Sequence, residues 1–251
     1  MLLERLQTTF AKSSFGSFAL ELIVVILGIL IAFQIDHWAE DRRDREHEYA
    51  YLMRLKEDFQ IEIQSMDAAL RYAESRIANV VLLEEVLANP SVALERPGAV
   101  TIAIEKVTWR SFPQINAFVY SELQNTGNLA LIRSESLRRS LANHYASIRH
   151  HERVGLDFNI QHQFDRLTAG ILSTSELQAI EDESWNNVIE DVSSERAHEM
   201  VQELARRRDA IELLPDIAQH HIFNKKVMES TRSRALEIIE LIDSLTKGFE
   251  Q

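Results

Sequence analysis

The chain has 251 residues, 45% of them hydrophobic and 26% charged, and it contains no cysteine. That balance excludes a chain that stays disordered, and the missing cysteine excludes disulfides, thiolate nucleophiles and Cys-based zinc or iron–sulfur sites. A formal charge of −12 repels phosphate backbones, so no nucleic-acid partner is expected.

Only 7 Gly and 4 Pro punctuate the sequence, which predicts long uninterrupted helices. Residues 1–14 read as an N-terminal tail. The apolar run Leu22 to Phe33, extended over residues 15–35, reaches the ~20 residues that a membrane span requires. A dense Leu/Ile/Val stretch has no polar face to show water, and no small-residue cleavage site follows it, so a core helix and a signal peptide both fit worse. Trp38 then falls where interfacial aromatics anchor a span. Glu21, Val25, Gly28 and Ala32 recur at helical spacing on one face, with Gly28 and Ala32 as a small-xxx-small pair. Two readings of Glu21 stay open: it reaches the headgroups near one end of the span, or it is shielded inside an oligomer.

No Gly or Pro occurs between Gly28 and Pro90, so one helix is predicted from about Phe18 to Ala88. Residues 36–50 are rich in opposite charges four apart, such as Asp41 with Arg45 and Arg42 with Glu46, and read as a solvated neck. From residue 51 an apolar stripe begins: Leu52, Leu55, Phe59, Ile63, Met66, Leu70, Ala73, Ile77, Val80. Extra apolar residues beside it favour a helical bundle over 51–251 rather than an isolated coiled coil.

Asn89-Pro90-Ser91 ends the long helix, and a loop is predicted up to Pro97-Gly98. Val100, Ala103, Ile104 and Val107 fit a short helix, with a strand as the alternative. Pro113 opens a segment through Tyr120 and Leu123 that Gly127 stops in a left-handed conformation. Ser134 caps a helix running on to Ile171, with a bend around Glu152 to Gly155. Ser173 to Ser175 forms a break before a helix from Glu176 to Asp191. Ser194 caps the next, which buries Ala197, Val201, Leu204 and Ile211 and ends at Pro215. The last helix reaches Lys247 with Ile222, Ala235, Ile239, Ile242 and Leu245 inward. The fold class is therefore all-α: an N-terminal transmembrane helix continuing into a long helix that packs in a bundle.

Chemistry is scarce. No phosphate-cradling glycine pattern, no nucleophile elbow and no H-E-x-x-H occurs. His150, His151 and His162, or His220 and His221, could join a metal site only by tertiary contact, because neighbours on a helix point about 100° apart. Glu181-Asp182-Glu183 lacks the alternating spacing of a calcium loop. Trp109, Phe112 and Pro113 form an aromatic–proline cluster that either plugs one end of the bundle or offers a docking surface. No catalytic residue, metal ligand or cofactor is assigned.

Two stretches carry a resemblance. One is Glu21 to Ile35 (ELIVVILGILIAFQI) with Trp38, followed by Tyr51-Leu52 and Leu55-Lys56-Glu57-Asp58; the other is Tyr120 to Ile132 (YSELQNTGNLALI) leading into Leu137-Arg138 and Tyr145. Together they resemble a bacterial family of small single-span membrane proteins of unknown function. The resemblance implies a place, the bacterial inner membrane, and a shape. It also implies a periplasmic C-terminal domain, although this N-terminus holds only Arg5 and Lys12. Arg42, Arg43, Arg45 and Arg54 follow the span and favour a cytoplasmic domain. Three function classes follow. The first is a non-enzymatic anchored protein acting by association, with membrane lipid around it and a second copy or another envelope protein as partner. The second is a ligand-sensing bundle working through a separate signalling protein, and the third a hydrolase or metal enzyme using His150 or His162.

Overall fold

The computed structural model describes the backbone of residues 2–110, 112–155, 159–182 and 192–249, and the side chains of 21–110, 112–151, 159–180 and 192–249. Among them every regular element is helical. Helix α1 spans Leu2–Ala88, so it takes in the stretch expected as a tail and begins well before Phe18. It ends at Asn89 because the residue before a proline avoids the α region and Pro90 has no N–H to give. The Asn89 side chain then accepts from the Ser91 hydroxyl at 2.8 Å and secures the turn.

Helices α2 (Val92–Glu95) and α3 (Pro97–Lys106) follow, so the region read as helix or strand is helix, with Pro97 in its first turn. A loop leads to α4 (Phe118–Asn125), which stops where expected, at Gly127 with φ 74°. After a 3₁₀ turn over Asn128–Leu131, Ser134 caps α5 (Glu135–Gly155) by accepting from the Leu137 amide at 3.2 Å. Helix α5 is helical through the stretch where a bend was expected; the chain resumes in α6 (Asn159–Thr168), and Leu156 lies outside the described residues.

Helix α7 (Thr174–Asp182) opens with a reciprocal cap: the Glu176 amide donates to Ser173 Oγ at 3.3 Å, and the Ser173 amide donates to Glu176 Oε2 at 2.7 Å. The rest of the helix expected up to Asp191 lies outside the described residues. Helix α8 (Ser194–Ala205) is capped by Ser193, not Ser194; the Ser194 hydroxyl donates instead to the Leu94 carbonyl at 2.8 Å. A turn at Arg206-Arg207, with Arg207 at φ −98° and ψ 68°, separates it from α9 (Arg208–Ile211), and the Arg207 side chain donates to the carbonyls of Leu167 and Ala169 at the end of α6. Pro215 sits in the first turn of α10 (Leu214–Thr246), so it opens a helix rather than closing one. A 3₁₀ turn at Lys247–Phe249 follows.

The two long helices form the spine. On α1 the buried positions 52, 55, 59, 62, 66, 69, 73, 76, 80 and 83 form an unbroken alternation of three and four, with 48, 58, 82 and 86 buried before, beside or beyond it. Ile63, Leu70 and Ile77, expected inside, flank this seam half-buried; Glu62, Ala69 and Arg76 take those places. On α10 the buried positions are 214, 217, 221, 228, 231, 235, 238 and 242. Ile222 faces out and His221 faces in, while Ile239 and Leu245 lie half-buried. Three ion pairs fix the antiparallel register: Lys56–Asp243 at 2.5 Å, Asp67–Arg232 at 2.6 Å and Glu74–Lys225 at 2.8 Å. Each step forward along α1 matches an equal step back along α10. Such surface pairs contribute ~1 kcal/mol or less apiece, whereas each buried Leu or Phe of the seam contributes about 1.5–3 kcal/mol. The seam therefore drives the packing, and the charges select its alignment.

Around this spine lie two apolar cores. One gathers Leu52, Leu55 and Phe59 with α4, α5 and the end of α10. The other gathers Val80, Leu83 and Val86 with α3, α6, α8 and the start of α10. Between them is a thin waist of Ala69, Ala73 and Met228.

Candidate functional site

The large apolar side chains from Leu22 to Ile35 are 47–61% exposed on a single helix, and no described residue covers them. This stretch has the length and composition to cross a membrane. Glu21, Val25, Gly28 and Ala32 are exposed together on one face. A Cβ built at Gly28 would meet nothing within 4 Å, so this face is open for close approach. Trp38 is also exposed, with the Arg42 guanidinium 5.9 Å from its ring centroid.

The neck is shorter than the sequence implies. Arg133, just after the 3₁₀ turn, pairs with Asp41 at 2.5 Å and with Glu48 at 3.6 Å, and its backbone amide donates to Glu48 at 2.7 Å. Glu48 is buried by this contact, and Tyr49 meets Phe249 with ring centroids 5.4 Å apart. The bundle thus closes around α1 from about residue 41, only ~9 Å of helix beyond Ile35. Periodicity showed the charges of residues 41–48 but not their partner, which comes from a distant turn.

Two charged residues occupy seam positions of α1 that a purely apolar stripe would fill. Glu62 and His144 of α5 are both 0% exposed, with His144 Nε2 and Glu62 Oε1 2.7 Å apart. The other oxygen of Glu62 and Nδ1 of His144 have no hydrogen-bond partner. Phe59 and Tyr145 each place a ring 5.1 Å from that of His144. One turn earlier, Asp58 accepts from the Asn116 side chain at 2.8 Å and the Val119 amide at 3.1 Å, which seats the start of α4 against α1. Burial pushes the Asp58 carboxyl up, opposed by that amide. Tyr145 stacks on Tyr120 at 4.6 Å, and its hydroxyl donates to the Asn116 carbonyl. Burial raises the Tyr145 hydroxyl well above its ordinary value. These contacts hold α1, α4 and α5 in register.

The second charged seam residue, Arg76, lies beyond the waist near His221 and the C-terminal end of α3. His221 Nε2 is 2.7 Å from the Val107 carbonyl, and Thr108 Oγ1 donates to Asp165 at 2.7 Å. Lys106, almost wholly buried, sets its ammonium 5.1 Å from the Trp109 ring centroid. Of the aromatic–proline cluster, Trp109 and Pro113 are half-buried while Phe112 is 58% exposed under the Arg110 guanidinium. The cluster therefore does not plug the bundle as a unit. Its loop is pinned to the side of α1 by the Gln114 amide, which donates to Ser65 at 2.6 Å.

The histidines chosen from sequence do not converge. His150 and His151 stand edge to face at 5.7 Å, His151 Nδ1 is 2.7 Å from its own helix's Ser147 carbonyl, and His162 is exposed on α6. Among the described residues no three His, Cys, Asp or Glu side chains are grouped as a metal ion would need. The side chains of Glu181, Asp182 and Glu183 lie outside the described residues. The functional candidates missed in sequence, Glu62, Arg76 and His144, had one available signal. The strict three–four alternation on α1 passes through both charges.

No curated protein and no solved structure matches the chain. A family model matches residues 21–192, which include both stretches that carry the sequence resemblance. That is well over half of the chain, and the protein belongs to this family of unknown function, DUF6090.

Proposed function

We propose that the protein is a single-pass membrane protein of the bacterial inner membrane whose bundle stands close on the bilayer and which acts by association rather than catalysis. The observation that carries this reading is the exposed apolar stretch 22–35, with Glu21, Val25, Gly28 and Ala32 open on one face. Lipid suits the large side chains of the other faces. A second copy of the same helix suits this one, because small residues permit backbone contact and shield Glu21 from hydrocarbon. The periplasm is the compartment we assign to the bundle, with another envelope protein as the further partner.

Gly28→Leu tests the association. In a lone chain a Cβ at this position meets nothing within 4 Å, so a change in assembly points to a neighbouring helix. The oligomeric mass of the detergent-solubilised protein is expected to fall to that of the monomer. An unchanged oligomer would remove this interface, and a monomeric parent protein would remove self-association altogether.

A further inference from the structure

Arg76 is 4% exposed, and among the described residues no carboxylate is paired with it. Its partners are neutral: the Tyr72 ring at 6.0 Å and, with the Asn79 amide turned to suit its neighbours, that side-chain oxygen at 3.1 Å. A buried guanidinium ordinarily keeps an anionic partner, since its planar fork matches two oxygens and its desolvation is otherwise uncompensated. Burial lowers its pKa to about 10, which leaves it charged at neutral pH.

The spine brings more positive charge to the same place. The ion-pair register sets Arg76 level with the α10 segment around His221, within a turn of the Glu74–Lys225 pair. His221 is buried against the Val107 carbonyl, and both Arg76 and Arg110 act on it electrostatically, adding to the burial that lowers its pKa. Lys106 precedes Val107 on the same turn of α3. In a chain of formal charge −12, the guanidinium groups of Arg76 on α1 and Arg110 in the loop after α3 thus both come close enough to His221 to act on its charge. On α6, one turn before the Asp165 that accepts from Thr108, Gln161 is 3% exposed with neither amide atom partnered.

We propose that Arg76, with Arg110 nearby across His221, is a binding site for a small soluble oxyanion of the phosphate or carboxylate type. The anion would accept two N–H bonds from the guanidinium and supply the charge that no described carboxylate supplies. Its source is the aqueous compartment rather than a lipid headgroup. Arg76 lies about 60 Å along α1 from Ile35, far beyond the headgroup layer. The site is independent of the association proposed for the membrane-side face.

The test uses the full chain in detergent with Trp38→Phe and Trp185→Phe, which leaves Trp109 beside Lys106 as the reporter. Inorganic phosphate and, separately, citrate are titrated at constant ionic strength. Expected is a saturable change in Trp109 fluorescence with at least one of them, accompanied by a higher Tm, and weakened at least tenfold by Arg76→Gln. Arg110→Gln provides a second variant in case Arg76→Gln does not fold. Calorimetry on the unaltered chain needs no variant: no saturable heat with either anion overturns the site. A response that tracks ionic strength alone, or equal affinity in a folded Arg76→Gln protein, also overturns it. Repeating the titration in nanodiscs separates the sources. Loss of phosphate binding when anionic lipid replaces zwitterionic lipid would overturn the soluble-anion assignment.

Discussion

The Glu62–His144 pair permits a sharp prediction about what a buried polar contact does for this bundle. Both side chains are wholly excluded from water, and each has spent its one hydrogen bond on the other. Of the two rings packed on His144, Phe59 presents only carbon and the Tyr145 hydroxyl is committed to Asn116, so neither replaces a lost partner. His144→Leu therefore leaves an uncompensated carboxylate in an apolar core, at a cost of about 3–5 kcal/mol. Glu62→Leu leaves an unpartnered imidazole, costing about 1–3 kcal/mol. Replacing both by leucine removes the desolvation together with the bond, and the double variant is expected within ~1 kcal/mol of the parent, or above it. Thermal unfolding of the full chain, followed by circular dichroism in one detergent at neutral pH, reads this out. For a domain of this size His144→Leu should lower Tm by about 10 °C, and the second substitution should restore most of it. A double variant less stable than both single variants would refute the reasoning. The pair would then contribute net stability beyond what apolar packing can replace.

Further predictions concern acid stability and orientation. Arg196 binds Glu176 through two bonds at 2.8 and 3.1 Å, and this contact, more than the Ser173 amide, holds the Glu176 carboxyl down at about 2. A depressed carboxyl stabilises the fold above its unfolded pKa near 4.5 and loses that contribution as pH falls toward 2. Glu176→Gln should cost about 2 kcal/mol at pH 7, allowing for partial exposure, and nothing near pH 2. Chemical denaturation of both proteins across that range checks it, and a gap that persists in acid would count against the assignment. The cysteine-free background also makes topology measurable. A single cysteine at exposed Glu95, treated in intact cells with a membrane-impermeant thiol reagent, is expected to label without lysis; labelling only after lysis would place the bundle in the cytoplasm.

The sequence by itself determined the helical class, the apolar stretch and most helix boundaries. These follow from local causes: proline without an N–H at 90, glycine in a left-handed turn at 127, a serine cap at 134 and the spacing of apolar side chains. It was least informative where a residue's environment is set by a distant part of the chain. Glu62 reads as a solvated charge until His144, 82 residues later, is brought against it. Arg76 reads the same way until the folded bundle buries it, and residues 41–48 read as a free neck until Arg133 folds back on them. Pro215 marks a boundary in sequence, and only the packed structure shows that the boundary is a beginning. A helix can be specified by its own residues because its hydrogen bonds are local. Which of its charged positions face inward depends on partners that only tertiary packing supplies, since burying a charge is tolerable only where another group meets it.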